Sequence, residues 1–234
     1  MSGEKSNYIH TIDIGLLRFN SEEKQIEILL TLREKQPFEG QWALPGIVIN
    51  GDQRDNSIRT ALTRLMTSPK VGFEAKYYEQ VGTTDEDNDT RDPRCWSSST
   101  YYMGIVDEHI RLQPHQRFVS LDSISNGQEK IAFDHNVLVN NIQERLIAKS
   151  TYSSLPILFL GELFTVLDTV NVCTAIMHME TPKIGQRKRC ERLSELGFIE
   201  KTDLKTQPAR GAPQSQMRTL ITDKLHYFNR SINS

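Results

Sequence analysis

Apolar positions divide the chain into short alternating runs and longer helical ones. Two Ile/Leu-rich runs, 9–19 (IHTIDIGLLRF) and 25–32 (QIEILLTL), flank the polar turn 20–24 and predict a β-hairpin. A Gly/Pro-punctuated stretch, 37–51, follows. Over 55–67, Ile58, Leu62 and Leu65 recur at spacings of four and three, predicting a helix. Strands are expected at 77–84, 96–106 and 117–121, with the acidic turn-rich loop 85–94 between the first two. The segment 134–149 places Val137, Leu138, Asn141, Ile142, Arg145 and Leu146 in helical register, with Asp134 as its N-cap.

The pattern changes near 150–156, and we set the domain boundary there, giving 1–152 and 153–234. Beyond it, Thr165 and Asp168 form a capping box that opens a helix over 166–179, with Val166, Val170, Cys173 and Met177 on its apolar face. Thr181 as N-cap and Pro182 at the first position begin a second helix, which stops at Gly197. Strand-like 198–201, a Pro/Gly loop reaching Gln214, and 216–221 complete a helix, turn, helix and two-stranded hairpin. That is the order of a winged helix-turn-helix.

The composition, 37% hydrophobic and 25% charged, suits a globular protein with a substantial core. No secretory signal and no run long enough for a membrane span is present, so a cytoplasmic location without membrane partners is expected. Cys95, Cys173 and Cys190 form no CxxC pair, which argues against a structural zinc site and against a disulfide framework; no metal or cofactor is expected. The net charge of −2 hides an asymmetry. Residues 181–234 hold eleven Lys/Arg against five Asp/Glu, a balance of +6, which leaves −8 for the rest. An acidic body with a basic end fits a protein that meets DNA phosphates at that end only.

The segment 38–46 (FEGQWALPG) resembles the Nudix pattern aromatic-Gly-x-Trp-x-Leu-Pro-Gly. In that family a Gly-x5-Glu-x7-Arg-Glu-x-x-Glu-Glu signature stacks carboxylates on one helical face to hold divalent metal against a diphosphate. Here the corresponding helix reads Thr63-Arg64-Leu65-Met66-Thr67-Ser68, without a carboxylate, and Ile47 replaces the second glycine of the usual pair. The likeness implies a Nudix scaffold whose catalytic residues are lost. It also places Arg33 near substrate phosphates, Trp42 at the pocket, and Arg91 and Arg94, from an Arg-Asp-x-Arg segment, at its border. These four are the candidate effector-binding residues.

The turn Ala132-Phe133-Asp134-His135 before a long helix, followed by Tyr152-Ser153-Ser154-Leu155-Pro156, resembles the Nudix-related transcriptional regulators of NAD metabolism, the NrtR family, and the likeness runs from about Ile9 to Ile221. His135 itself reads as a helix-start residue held by local hydrogen bonds rather than a metal ligand. The resemblance implies an α+β chain: an N-terminal Nudix-like α/β/α sandwich that senses effector and dimerises, then a winged helix-turn-helix. It implies a homodimeric repressor that releases a palindromic double-stranded operator on binding ADP-ribose or a related nucleotide. Arg187, Lys188, Arg189 and Arg192 on the second helix, with Arg210 in the wing, are the candidate DNA contacts; the family's second wing arginine is Ala212 here. Two alternatives stay open: the same architecture sensing a sugar, and an active hydrolase using Asp52 and Asp55 as displaced ligands.

Overall fold

The computed structural model describes residues 8–50, 55–84, 91–207, 212–221 and 224–229. Its first half is a mixed sheet between helices. Strands β1 (Ile9–Asn20) and β2 (Gln25–Leu32) form the expected hairpin, joined by β3 (Trp42–Ala43), β4 (Gly46–Val48), β5 (Tyr77–Thr84), β6 (Ser97–Ile105) and β7 (Gln116–Ser120). The order is β3-β2-β1-β6-β5, with β4 paired to β1 and β7 to β2. Strand β1 is parallel to β6 from Ile9 to Leu17, and exchanges its other partner from β4 (Asp13 opposite Gly46) to β2 (Leu17 opposite Ile28).

Period-2 alternation along β1 sends Ile12, Ile14 and Leu16 into one apolar cluster and Leu17 and Phe19 into another. Helix α1 (Ile58–Thr67) covers the first with Ala61, Leu62 and Leu65, and is opened by a Ser57–Thr60 capping box. A short helix α2 (Leu121–Ser125) and the long α3 (His135–Tyr152) cover the second. A Cβ at Gly15 would stand 2.7 Å from Ile142 Cδ1, so glycine there lets α3 lie close on the sheet.

The second half begins with a buried 3-10 turn (Leu155–Phe159) and β8 (Leu163–Phe164). Helix α4 (Val166–Met177) opens with both arms of the Thr165–Asp168 capping box, as expected. Its buried face is Thr169, Val172, Cys173 and Ile176, rotated from the expected stripe; Val166 and Met177 pack only partly and Val170 is half-exposed. Helix α5 (Lys183–Glu195) has Pro182, not Thr181, as N-cap. Strands β9 (Ile199–Lys205) and β10 (Ser215–Thr219) pair antiparallel, and β8 adds to the far edge of β10. The whole is a mixed α/β molecule, a Nudix-like sandwich followed by a winged helix-turn-helix. The larger apolar cluster continues across 152, from Leu138 and Ile142 through Leu155 to Val172, Leu193 and Met217. Among the described residues no helix is long and apolar enough to cross a membrane.

Candidate functional site

Beside the point where β1 changes partner lies a cavity of about 420 Å³, within the range of small-molecule sites. Its floor is built around Asp13, the one acidic residue of a strand otherwise rich in Ile and Leu. The Asp13 carboxylate accepts from Ser99 Oγ (2.5 Å) and Thr11 Oγ1 (2.9 Å). A Cβ at Gly46 would fall 1.9 Å from Asp13 Oδ1, so the glycine makes room for the carboxylate. His135 is 5% exposed, and its Nδ1 accepts from the Leu44 backbone N–H at 3.0 Å. That bond assigns the ring proton to Nε2, 3.6 Å from Asp13 Oδ1. Burial lowers the His135 pKa against the opposing pull of Asp13, so the ring is neutral near pH 7. The expected local satisfaction of His135 is therefore corrected: its partner is 91 residues away in the chain.

Asp134 stands at the N-cap of α3 but makes no capping bond; it forms a buried ion pair with Arg91 instead. Arg91 Nε and Asp134 Oδ1 are buried without a hydrogen-bond partner, and both residues line the cavity. Arg94 grips Asp92 side-on, through Nε (2.9 Å) and Nη2 (2.7 Å). Burial alone would raise the Asp92 carboxyl, but Arg94 holds it below its ordinary value. Arg33 lies 4.5 Å above the Phe133 ring and donates to the carbonyl of Pro37 (2.8 Å). Five cations line the cavity, Arg33, Lys35, Lys70, Arg91 and Arg94, the last two each paired with a carboxylate, beside apolar Leu44, Ile47 and Phe133; Arg33, Lys35 and Lys70 suit it to an anionic ligand with a flat or sugar-like body.

Of the four expected effector residues, Arg33, Arg91 and Arg94 line the cavity; Trp42 does not. The Trp42 ring packs under the Arg117 guanidinium at 4.2 Å and against the larger core cluster, and its carbonyl accepts from Ala132 N–H, so it braces the Phe133–His135 turn from behind. Asp13, Lys70 and Asp134 were not foreseen as site residues. The one signal for Asp13 is a carboxylate in the middle of a strand otherwise rich in Ile and Leu.

Helix α1 carries no acidic residue. Arg64 binds Asp55 through Nε (3.0 Å) and the Val48 carbonyl (2.9 Å), and that bond pulls the Asp55 pKa down. Asp52 lies outside the described residues. Among the described residues no group of three or more His, Cys, Asp or Glu could hold a metal ion.

On α5, Arg187, Lys188 and Arg192 are exposed, and Arg192 pairs with Glu195 one turn on (3.2 Å). Arg189 is corrected: it is 6% exposed, donates to the Ser150 carbonyl (3.2 Å), and lies 5.0 Å over the Phe228 ring. Consecutive helical residues turn by about 100°, so one of three adjacent cations must face the protein. Arg210 lies outside the described residues.

No protein-family profile matches the chain. It is 31% identical, over 98% of its length and 90% of the relative's, to an ADPR-responsive transcriptional repressor, NtrR, of Acinetobacter baylyi. Shewanella oneidensis NrtR crystallised with a 27mer DNA superposes with a TM-score of 0.80 at 26% identity, covering 94% of this chain and 98% of that one. The Nudix domain of the same Shewanella protein in complex with ADP-ribose matches with a TM-score of 0.53 at 26% identity, over 62% of this chain and 93% of that one.

Proposed function

The chain belongs to the NrtR family of Nudix-related transcriptional regulators, and from that membership we propose that it is a DNA-binding repressor whose Nudix domain, residues 1–152, senses ADP-ribose or a closely related nucleotide. The carrying observation is the cavity over Asp13 and His135, ringed by Arg33, Lys70, Arg91 and Arg94, in a chain that matches an ADPR-responsive repressor almost end to end. Its cations suit a diphosphate.

In this reading residues 153–234 bind a double-stranded operator. Arg187, Lys188 and Arg192 reach the DNA from α5, and Arg210 does so from the wing. The protein acts as a homodimer on a palindrome. It is a regulator and not a hydrolase: the family's metal-binding carboxylates have no counterpart on α1, and Asp55 is spent on Arg64.

Coupling has a short route. Phe133, Asp134 and His135 form part of the cavity wall and open α3, whose eighteen residues span about 27 Å. Near its other end Ser150 holds Arg189 of the DNA-facing helix. A ligand that binds the two orientations of that helix unequally shifts DNA affinity by the difference.

The test is a mobility shift on the DNA upstream of the protein's own gene, and on duplexes selected from a random pool, with and without ADP-ribose. Specific binding that ADP-ribose weakens, with no magnesium-dependent release of AMP, is the expected result. Sequence-specific binding that a sugar but not ADP-ribose releases would sink the effector assignment. Steady AMP production would sink the non-enzymatic one.

A further inference from the structure

The DNA-facing surface of α5 carries a side chain that the charge argument does not use. Ile184, in the first turn, is 71% exposed, the highest exposure of any large apolar side chain among the described residues. Single exposed apolar residues are ordinary on protein surfaces. This one sits three and four positions before Arg187 and Lys188, on the same helical face, next to the exposed Lys183. An apolar tip beside three cations is a poor surface for water or another protein's core. It is a good one for the floor of a groove walled by phosphates.

Its neighbour gives an independent indication. Gly185 lies within the first turn of α5, where glycine is among the poorest helix formers. Neither of glycine's usual reasons applies: its φ is not in the left-handed region, and a Cβ built there would meet nothing within 4 Å. The free protein has no need of glycine at 185, so the clearance serves something that approaches the helix from outside.

We propose that the first turn of α5 reads bases directly, with Ile184 contacting the 5-methyl group of a thymine in the major groove and Gly185 leaving room for the DNA to seat. Thymine is the base whose major-groove edge presents a methyl group, and residues at the start of such a helix are those that reach base edges. Arg187 and Lys188, one turn further on, fix the helix against phosphate. The proposal rests on the DNA-binding reading of α5 and adds a specificity determinant to it.

The experiment uses the full chain and a duplex that the wild-type protein selects from a random-sequence pool. The duplex is synthesised with deoxyuridine in place of thymidine at one position at a time, which deletes only the methyl group. The wild type is expected to lose about four-fold in affinity at one or more thymines, the worth of one methyl removed from water. Ile184→Ala, an exposed substitution that touches no core contact, is expected to bind the parent duplex more weakly and to lose nothing further at those same positions. Gly185→Ala is expected to raise the unfolding temperature by about 2–4 °C while weakening DNA binding. Full uracil sensitivity in Ile184→Ala, or none in the wild type, overturns the methyl contact while leaving DNA binding intact. Undiminished affinity in Gly185→Ala overturns the clearance. A wild type that enriches no sequence overturns both the proposal and the reading beneath it.

Discussion

The guanidinium of Arg189 reaches the carbonyl of Ser150 at 3.2 Å, tying the middle of α5 to the last turn of α3. The final four carbonyls of a helix lack intrahelical donors, and a cation beside them is favoured by the helix dipole. Arg189 therefore serves the C-terminus of α3. Burial works against it, lowering its pKa, and its Nε and Nη1 have no hydrogen-bond partner.

Arg189→Ala should lower the unfolding free energy by about 1–3 kcal/mol, the cost of leaving a buried acceptor unmet, with the arginine's own desolvation holding the loss toward the low end. The salt dependence of DNA binding should stay at the wild-type slope. Denaturant melts and a salt titration of the same variant check both. A reduced slope with unchanged stability would place Arg189 on the DNA instead.

Arg187→Ala and Lys188→Ala should do the reverse. Both side chains are exposed, and surface changes of this kind usually move stability by less than about 0.5 kcal/mol. Each lost phosphate contact should reduce the slope of log K against log salt by about 0.9. Arg192 is weaker ground for the same test, because Glu195 already engages it.

The contrast among these cations shows what the sequence could and could not convey. The basic run was visible, and the Thr165–Asp168 box and Gly197 delimited the two helices nearly to the residue. Which cation faces inward depends on the last turn of α3 and on Phe228, neither adjacent in the chain. The strands β1, β2 and β5 were legible from local pattern, whereas β3, β4 and β8, two or three residues each, exist only through their partners. Trp42 and Asp13 show the same limit at the cavity. An aromatic in a family motif suggested ligand contact, yet packing under Arg117 took it. A lone strand aspartate suggested nothing until Ser99, Thr11 and His135 converged on it.

Gly46→Ala tests the cavity floor. The new methyl would meet Asp13 Oδ1 at 1.9 Å, so either β4 or the carboxylate must move. Overpacking of this kind costs about 1–3 kcal/mol, and here the strain falls on a site residue. The expected outcome is a lower unfolding temperature together with loss of the thermal stabilisation given by ADP-ribose. DNA binding without effector should be retained, because the exposed cations of α5 are untouched. Retained stabilisation by ADP-ribose would detach Asp13 from the effector site.

His135 predicts a pH signature. Its pKa is lowered in the folded protein by burial, so the unfolded chain binds the extra proton first as pH falls. The stability that depends on a neutral ring is fully present above the unfolded value of about 6.5. It is lost as pH drops below that value toward the folded pKa, beneath which both states are protonated and no further loss follows. Asp55 and Asp92, whose pKa values are also lowered, act in a separate and more acidic window, as pH falls through the carboxylate range. His10, lowered by burial as well, shares the His135 window, so the comparison must be between variants and not with theory alone. His135→Asn keeps an acceptor for the Leu44 N–H in place of Nδ1 and removes the titrating ring. Urea melts from pH 7.5 down to pH 5 should show wild-type stability falling more steeply than that of the variant. Parallel curves would mean that the ring takes up its proton in the folded protein as it does in the unfolded chain, and the lowering of its pKa by burial would have to be abandoned.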